Sequence, residues 1–518
     1  MSMTWLARVH PETAWAHLTT TDFPVASARP GALAILPVHG LADHGFGLPL
    51  DAEEAVGSTL LATAVAEAAS ACTPCVLPPL RFGPAPAPQS TWFGLAPEHA
   101  HEILHDLARG VAFAGFTKLL VFSTSPWHRE WLDAAARDIR VETGLTVYRI
   151  HLGSLGLDFH PAAPHPTRLA TQALAATLLD TTPVASAPQQ SSNETFRPGR
   201  WVHASPLPAG PVAPERIAAA ERLRTEVSER LARLLIEAAW HGRGEAPRPA
   251  PAPASATPLA APPWRPFGDR YLGGLAPARL LAAANPKGAL AILPTGAIEQ
   301  HGPHLPVGVD AQLGQGLLAR ALARLPAAAP VFVAPPVLVG KSNEHADWPG
   351  TLTLSTRTFS ALVRAQVAEL RRLGFQRIAF FNTHGGNSAV LVPLIREFQA
   401  AAPGLRIGML QSAYKPAQNP QEAAYGFHAG EWETSLMLAF APSLVRRARA
   451  VCHYPAQLDD AGELRPEGSA LTLAWTTRDI APQGVMGDAT LATPAQGEIW
   501  AEGAADSLAE RITELTRG

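Results

Sequence analysis

Cysteine is scarce in this sequence. Only Cys72, Cys75 and Cys452 occur among 518 residues, which excludes a disulfide framework and suits a reducing compartment. Cys72 and Cys75 have the spacing of a redox motif, but the residues after them predict a strand, whereas such a motif normally opens a helix. The sequence therefore favours neither a disulfide-stabilised fold nor redox chemistry.

Charged residues and long apolar runs are also lacking. Charged residues make up 16% of the chain and the net charge is −3, so no basic field attracts nucleic acid or an anionic membrane. No run of 18 or more apolar residues occurs, and the first ten residues do not have the pattern of a signal peptide. We expect a cytoplasmic protein that binds neither nucleic acid nor membrane.

One segment concentrates polar side chains directly after an apolar run. Residues 289–293 are apolar, and the Gly- and Pro-containing stretch that follows carries Glu299, His301, His304 and Asp310. This pattern predicts a buried strand that runs into a functional loop. Carboxylates and imidazoles together are the donors that Zn or Mn sites use to activate water. A solvated polar loop is the alternative interpretation of this segment taken alone.

Two later segments have a similar arrangement. The apolar residues 377–382 lead directly into Thr-His-Gly-Gly-Asn, which contains His384, and residues 427–435 place His428 just before an apolar helix. Ligands of open α/β sheets collect outside the carboxyl ends of the strands. We therefore expect the three segments to meet at one edge of a sheet and to form a metal site.

Together these segments resemble the motifs of the creatininase family of metal-dependent amidohydrolases. The matching segments occur in the family's order between residues 263 and 518, and they are 299–310, 340–351, 383–387 and 428–435. The resemblance implies a binuclear centre with two divalent ions, Zn and/or Mn, with Fe or Mg also possible. It further implies that Glu299 and His384 hold one ion, that His301 holds the other, and that Asp310 bridges both.

The third motif departs from that of the creatinine hydrolases. Those enzymes have Tyr-Glu-Asn after the histidine, and the glutamate is a metal ligand, whereas this chain has Gly385–Asn387. We expect Glu433 to replace that ligand, with Glu431 as the alternative. His428 occupies the family position for proton transfer, with Glu431 as its possible partner; alternatively, His428 orients a metal ligand. The residues that by resemblance line the substrate pocket are Ser342, Glu344, His345 and Trp348.

The same departure argues against creatinine as the substrate. His-Gly-Gly-Asn is similar to the branches that hydrolyse formamides or trim the mycofactocin precursor peptide. The first hypothesis is therefore an amidohydrolase that cleaves an amide or formamide bond of a small polar substrate. A metallopeptidase that trims a short peptide is the second, and a non-catalytic scaffold or binding protein is the third.

The first half of the chain repeats the second. Residues 31–37 are identical to residues 288–294, and the match continues without a gap through His44 against His301 and Leu48 against Leu305. The donors are not retained: Ala42, Glu53 and Ser125 align with Glu299, Asp310 and His384. We expect the first half to be a degenerate, structural domain without a metal centre. A rival interpretation assembles a single-metal site from His39, Asp43, His44 and Glu53.

The repeat predicts two tandem three-layer α/β/α domains with mostly parallel sheets. Their expected bounds are residues 1–243 and 264–518, and a Pro/Ala-rich linker joins them over residues 244–263. A duplication of this kind commonly replaces a dimer by one chain. We therefore expect a pseudo-dimeric chain that is either monomeric or a homo-trimer.

Overall fold

The computed structural model describes residues 6, 9–45, 47–84, 92–181, 210–244, 246–247, 267–455, 464–465 and 470–517. Most of the predicted linker at 244–263 lies outside these residues. None of the described helices combines the length and the apolarity needed to cross a membrane.

The first half is built on a parallel sheet in the order β2-β1-β3-β4. Its strands are β1 (Ala32–Val38), β2 (Thr73–Val76), β3 (Lys118–Ser123) and β4 (Thr146–His151). The helices are α1 (Phe23–Ala28), α2 (Ala52–Ala68), α3 (Pro97–Phe113), α4 (Arg129–Thr143), α5 (His165–Leu178) and α6 (Pro214–Trp240). All seven residues of β1 are buried, because alternate side chains of a strand enter the two apolar layers on its opposite faces.

The second half repeats this sheet in the order β6-β5-β7-β8. Its strands are β5 (Leu290–Thr295), β6 (Val331–Val333), β7 (Arg377–Asn382) and β8 (Arg406–Met409). The helices are α7 (Pro277–Ala282), α8 (Val309–Ala323), α9 (Thr356–Arg372), α10 (Gly385–Ala401), α11 (Pro420–Tyr425), α12 (Glu431–Phe440), α13 (Thr477–Ile480) and α14 (Pro494–Arg517). Two small two-stranded sheets pair β9 (Cys452–His453) with β12 (Gly487–Asp488) and β10 (Leu464–Arg465) with β11 (Leu471–Thr472).

These two sheets confirm the predicted fold class and the duplication. The strand that was expected after the cysteine pair begins earlier: β2 starts at Thr73, between the two cysteines, and contains Cys75. Burial raises the pKa of the Cys72 thiol to about 12 and that of Cys75 further, so both thiols stay protonated at neutral pH and are unsuited to thiolate chemistry.

The two halves interlock through reciprocal backbone hydrogen bonds. In the second half, Val307 N donates to Leu18 O at 2.8 Å and Gly308 N donates to Ala16 O at 3.0 Å. The first half has the equivalent bonds: Leu50 N donates to Leu275 O, and Asp51 N donates to Gly273 O. The equivalent residues are as far apart in number as Gly31 and Gly288. Each half thus supports a loop of the other.

The apolar core is continuous across the halves. One cluster of buried side chains includes one face of β1 together with β5, β7 and the segment around Trp15 and Phe23. The indole of Trp15 donates to Gly350 O at 2.8 Å, which joins the start of the first half to the second half. Because buried apolar area is the main source of folding free energy, a shared core makes each half depend on the other.

Candidate metal centre

Five carboxylate and imidazole side chains converge at the carboxyl edge of the second sheet. Glu299 and His301 lie in the loop after β5, Asp310 in the first turn of α8, His384 directly before α10, and Glu433 in the first turn of α12. Helix amino termini carry a partial positive charge, which favours the carboxylates placed there. The fold therefore brings together donors that are far apart in the sequence.

These five donors form two groups that share Asp310. Two further groups in the second half contain Glu299, one with His301 and His428 and the other with Glu344 and His345. His384 Nδ1 lies 3.2 Å from Glu299 Oε2 and 3.4 Å from Asp310 Oδ2. His301 Nε2 lies 3.5 Å from Asp310 Oδ1 and 3.8 Å from Glu433 Oε2. Within each group the donor atoms lie within 4.8 Å of one another. Asp310 thus presents one carboxylate oxygen to each group.

Both imidazoles are oriented as metal ligands are. His301 Nδ1 lies 3.0 Å from Glu299 O, and His384 Nε2 lies 2.8 Å from Lys341 O. When these nitrogens carry the proton and donate it to the carbonyls, the other nitrogen of each ring has a free lone pair toward the carboxylates. His301 Nε2 and Asp310 Oδ2 are buried and make no hydrogen bond within the described residues. Such buried polar atoms are costly without a partner, and a divalent cation would supply one.

The cluster also has a strongly negative potential. Burial lowers the pKa of His301, but Asp310 and Glu433 outweigh it and raise that pKa to about 9. Burial also lowers the pKa of His384, but Glu299 outweighs it and raises that pKa to about 10. Burial raises the pKa of Glu433 to about 7. Since these imidazoles take up protons to balance the carboxylates, a metal ion can replace the protons.

A second layer of imidazoles lies against the donors. The rings of His301 and His428 are 4.4 Å apart, and those of His428 and His345 are 4.5 Å apart. Gln300 Nε2 lies 3.0 Å from His345 Nδ1 and 3.0 Å from His428 Nε2, and Thr477 Oγ1 lies 2.6 Å from His345 Nδ1. Burial lowers the pKa of His345 to about 4 and that of His428 well below its ordinary value, so both rings are neutral.

Glu433 and Glu431 point to different sides of α12. Residues two apart in a helix differ in direction by about 200°. Glu433 faces His301, while Glu431 Oε2 lies 3.5 Å from Gln418 Nε2. Within the described residues, no contact joins Glu431 with His428, and Glu431 is in neither donor group. The structure therefore does not bring Glu431 to the position that was expected for a partner of His428.

Three of the four expected pocket residues touch the donors. Ser342 Oγ lies 3.1 Å from His384 Nε2, Glu344 Oε1 lies 3.7 Å from the same nitrogen, and His345 Nε2 lies 3.6 Å from Glu299 Oε1. Trp348 instead packs its ring against Arg478, whose guanidinium carbon is 4.1 Å from the ring centroid.

Sequence reasoning missed two members of the site. Gln300 lies inside the first motif, between two expected ligands, but its side chain connects two imidazoles of distant segments. Its place between Glu299 and His301 was a signal that could have drawn attention to it. Thr477 comes from α13, where the sequence around it has no recognisable motif. Only the folded chain brings its hydroxyl to His345.

The first half has a hydrogen-bonded histidine–glutamate pair at the equivalent place. His44 Nε2 lies 2.9 Å from Glu53 Oε1, and Gly40 N donates to Glu53 Oε2 at 2.7 Å. His39 Nδ1 lies 2.7 Å from Thr124 Oγ1, and Asp43 accepts from the backbone of Gly45. Within the described part of the chain, the donor groups close enough for an ion do not include these residues. The geometry gives the rival single-metal interpretation no support.

Comparison with known proteins agrees with this architecture. The family model Creatininase, described as creatinine amidohydrolase, matches residues 16–207 and 278–512. The mycofactocin precursor peptide peptidase of Mycolicibacterium smegmatis is 33% identical over 226 residues, which are 43% of this chain and 84% of that protein. The creatinine amidohydrolase of Pseudomonas putida is 31% identical over 242 residues, 43% of this chain and 88% of that protein. The solved structure titled "Creatininase Mn" is 27% identical and covers 47% of this chain and 98% of its own, with a TM-score of 0.39.

A parallel α/β sheet with carboxylates and imidazoles at its carboxyl edge is an arrangement suited to a metal-dependent hydrolase. The family model matches both halves, so both copies of the repeat belong to one family. The chain belongs to the creatininase family, whose members hydrolyse carbon–nitrogen amide bonds.

Proposed function

We propose that the second half is the catalytic domain, and that it uses two divalent ions to hydrolyse an amide or formamide bond of a small polar substrate. The observation that carries this proposal is the sharing of Asp310 by two donor groups, since a bridging carboxylate is what a binuclear centre requires. The first half, with a hydrogen-bonded histidine–glutamate pair in place of the donors, is a structural partner without a binuclear centre.

The residues present fit two ions. Glu299, Asp310 and His384 would hold one, and His301, Asp310 and Glu433 would hold the other. A mixed oxygen and nitrogen donor set suits Zn or Mn. When bound, the ions would supply a water of lowered pKa and a Lewis acid that polarises the substrate carbonyl.

His428 is suited to move a proton in this site. Its Nε2 lies 2.9 Å from Gln300 O, and its Nδ1 lies 3.7 Å from Glu299 Oε1. When Nε2 carries the proton and donates it to Gln300 O, Nδ1 has the lone pair. A neutral imidazole beside the reacting groups can take a proton from water and return it to the departing nitrogen. Gln300 fixes the orientation of the ring.

The burial of the site favours a small substrate. Glu299, His301 and Asp310 are buried, whereas the side chains of Glu344 and Glu433 are each 18% exposed. A substrate therefore reaches the donors on the side of these two glutamates. The polar lining supplied by Glu344 and Ser342 suits a substrate that forms hydrogen bonds.

A peptidase is the second candidate. It is supported by the 33% identity with a mycofactocin precursor peptide peptidase. Assays on short peptides and on small amides, formamides and creatinine separate the candidates. Turnover of the small compounds without peptide cleavage supports the first proposal, and selective peptide cleavage supports the peptidase.

Metal analysis of chelator-free protein tests the centre itself. We expect Glu433→Gln to lose metal, whereas Glu431→Gln on the same helix turn keeps it, because only Glu433 faces the donors. Asp310→Asn removes the shared ligand and should lower the content by roughly two equivalents. Full metal retention by Asp310→Asn would refute a bridged centre, and hydrolysis without metal would refute the mechanism.

A further inference from the structure

We infer that the first half has a zinc site of its own, on the outer side of the molecule between α3 and α4. Its ligands are His101 and His105 of α3 and Asp138 of α4. One donor atom of each lies within 4.8 Å of the others. This cluster is separate from the residues of the second half that form the proposed catalytic centre, and the inference does not depend on that proposal.

The two histidines are placed as a helical chelate. They are four residues apart, so both project from the same face of α3, and their rings are stacked with centroids 4.6 Å apart. His101 Nε2 lies 3.2 Å from Asp138 Oδ2 across the gap between the helices. Paired imidazoles at this spacing, completed by a carboxylate, form a three-ligand zinc site that leaves a position for water.

A carboxylate also orients the second histidine. His105 Nδ1 contacts the carboxylate of Glu142, which Arg109 holds in turn through a hydrogen bond of 2.6 Å from Nε to Oε1. If Nδ1 carries the proton, Nε2 of His105 has the free lone pair. That nitrogen is buried and has no hydrogen-bond partner within the described residues. A carboxylate behind one nitrogen and a cation in front of the other is the usual arrangement of a zinc-bound histidine.

Hydrogen bonding alone explains the cluster less well. Pairing His101 with Asp138 and His105 with Glu142 leaves the buried Nε2 of His105 without a partner among the described residues. A shared zinc ion supplies that partner.

The helix that carries both histidines also contacts the second half. Ser355 N donates to Asp106 Oδ2 at 3.0 Å, and Arg357 lies 3.1 Å from Glu102. Zinc bound between α3 and α4 would fix the helix that carries these contacts. The first half would then have lost the catalytic donors while retaining a metal that stabilises the pairing of the halves.

The test is zinc binding by the full chain, stripped with chelator and then titrated with Zn²⁺. We expect His105→Gln to bind one equivalent fewer than wild type. His99→Gln is the matched control: His99 lies on the same helix, pairs with Glu102 at 3.6 Å and is outside the cluster, so this variant should keep the full content. Hydrolytic activity should be unchanged in both.

A second variant shows whether a loss of zinc from His105→Gln comes from local misfolding. Asp138 is 61% exposed on its side chain, so Asp138→Asn should leave the helices intact, and we expect it to weaken binding of the same equivalent. Equal zinc content in wild type, His105→Gln and Asp138→Asn would overturn the inference. Loss of an equivalent from His99→Gln as well would also overturn it, because the effect would not be specific to the cluster.

Discussion

His428 combines a buried ring, a fixed orientation and a neutral state. Burial and the neighbouring His301 and His345 lower its pKa well below the ordinary value, and its Nε2 lies 2.9 Å from Gln300 O. A proton-transfer residue has to reach the reacting atoms, and a metal ion must not occupy the lone pair of its imidazole. The separation of 3.7 Å between Nδ1 and Glu299 Oε1 places it beside the donors.

His428→Gln should therefore lower kcat by roughly 10²–10⁴-fold, the usual contribution of general acid–base catalysis, and leave the metal content unchanged. Steady-state kinetics together with metal analysis provide the check. His453→Gln, at a ring that lies 2.9 Å from Ile480 O outside the site, is the control. If the metal content of His428→Gln falls in step with its activity, His428 is a ligand.

The buried His128 of the first half makes the free energy of unfolding depend on pH. Burial lowers its pKa from 6.5 to about 4, although Glu53 opposes this. The unfolded chain takes up this proton as the pH falls below 6.5, and the folded protein does so only near pH 4. The unfolded state therefore binds more protons in this window, so the free energy of unfolding decreases as the pH falls.

We expect a contribution of about 1.4 kcal/mol per pH unit from His128 between these two pKa values. Urea unfolding of metal-free protein at about pH 7 and about pH 5 measures it. His128→Gln should show the shallower loss of stability on acidification. Parallel pH dependences for variant and wild type would show that this imidazole is not the group responsible.

At the scale of elements, the segment from Trp15 to Phe23 supports the second half. Trp15 donates to Gly350 O, and the ring of Phe23 fills the space beside Gly350. Gly350 has a φ of +93°, and a Cβ there would lie 2.0 Å from Phe23 Cε2. Both the backbone conformation and the close approach require glycine.

Gly350→Ala should accordingly reduce the free energy of unfolding by about 1–3 kcal/mol, the usual cost of overpacking. Gly404→Ala is the matched control, since a Cβ at Gly404 meets no atom within 4 Å. Chemical denaturation of both variants makes the comparison. A similar small effect in both would mean that the two halves separate easily at this contact.

At the scale of the whole molecule, the two halves share part of their apolar core. One cluster of buried side chains spans both halves, whereas a second cluster, around α2 and α6, belongs to the first half. Each half also holds a loop of the other by two backbone hydrogen bonds. In the second half these bonds come directly before Asp310, the shared carboxylate of the proposed centre. The first half therefore contributes to the site without supplying a ligand.

Expressed alone, residues 264–518 should fail to give a stable monomer, because the apolar face that meets the first half would be exposed. Co-expression with residues 1–243 should restore a soluble complex. Size-exclusion chromatography and circular dichroism distinguish these states. A monomeric second half with native secondary structure would show that the shared core is dispensable.

Much of the fold and the proposed ligand set could be predicted from the sequence. β1 and β5 are short and apolar, and each ends one residue after a proline, so local pattern locates β5 to within about two residues. Glu299, His301, Asp310 and His384 follow strands or open helices, and in a parallel sheet such positions meet at one edge. The repeat of residues 31–37 at 288–294 was enough to predict two similar halves.

Only the tertiary structure distinguished Glu433 from Glu431. Both are acidic residues in one helix turn, and the direction of α12 relative to the sheet places one toward His301 and the other toward Gln418. The same holds for Thr477, which reaches His345 from a segment distant in the sequence. Local pattern determines which residues can become strands and donors, because it depends on near neighbours; which donors meet depends on the packing of helices far apart in the chain.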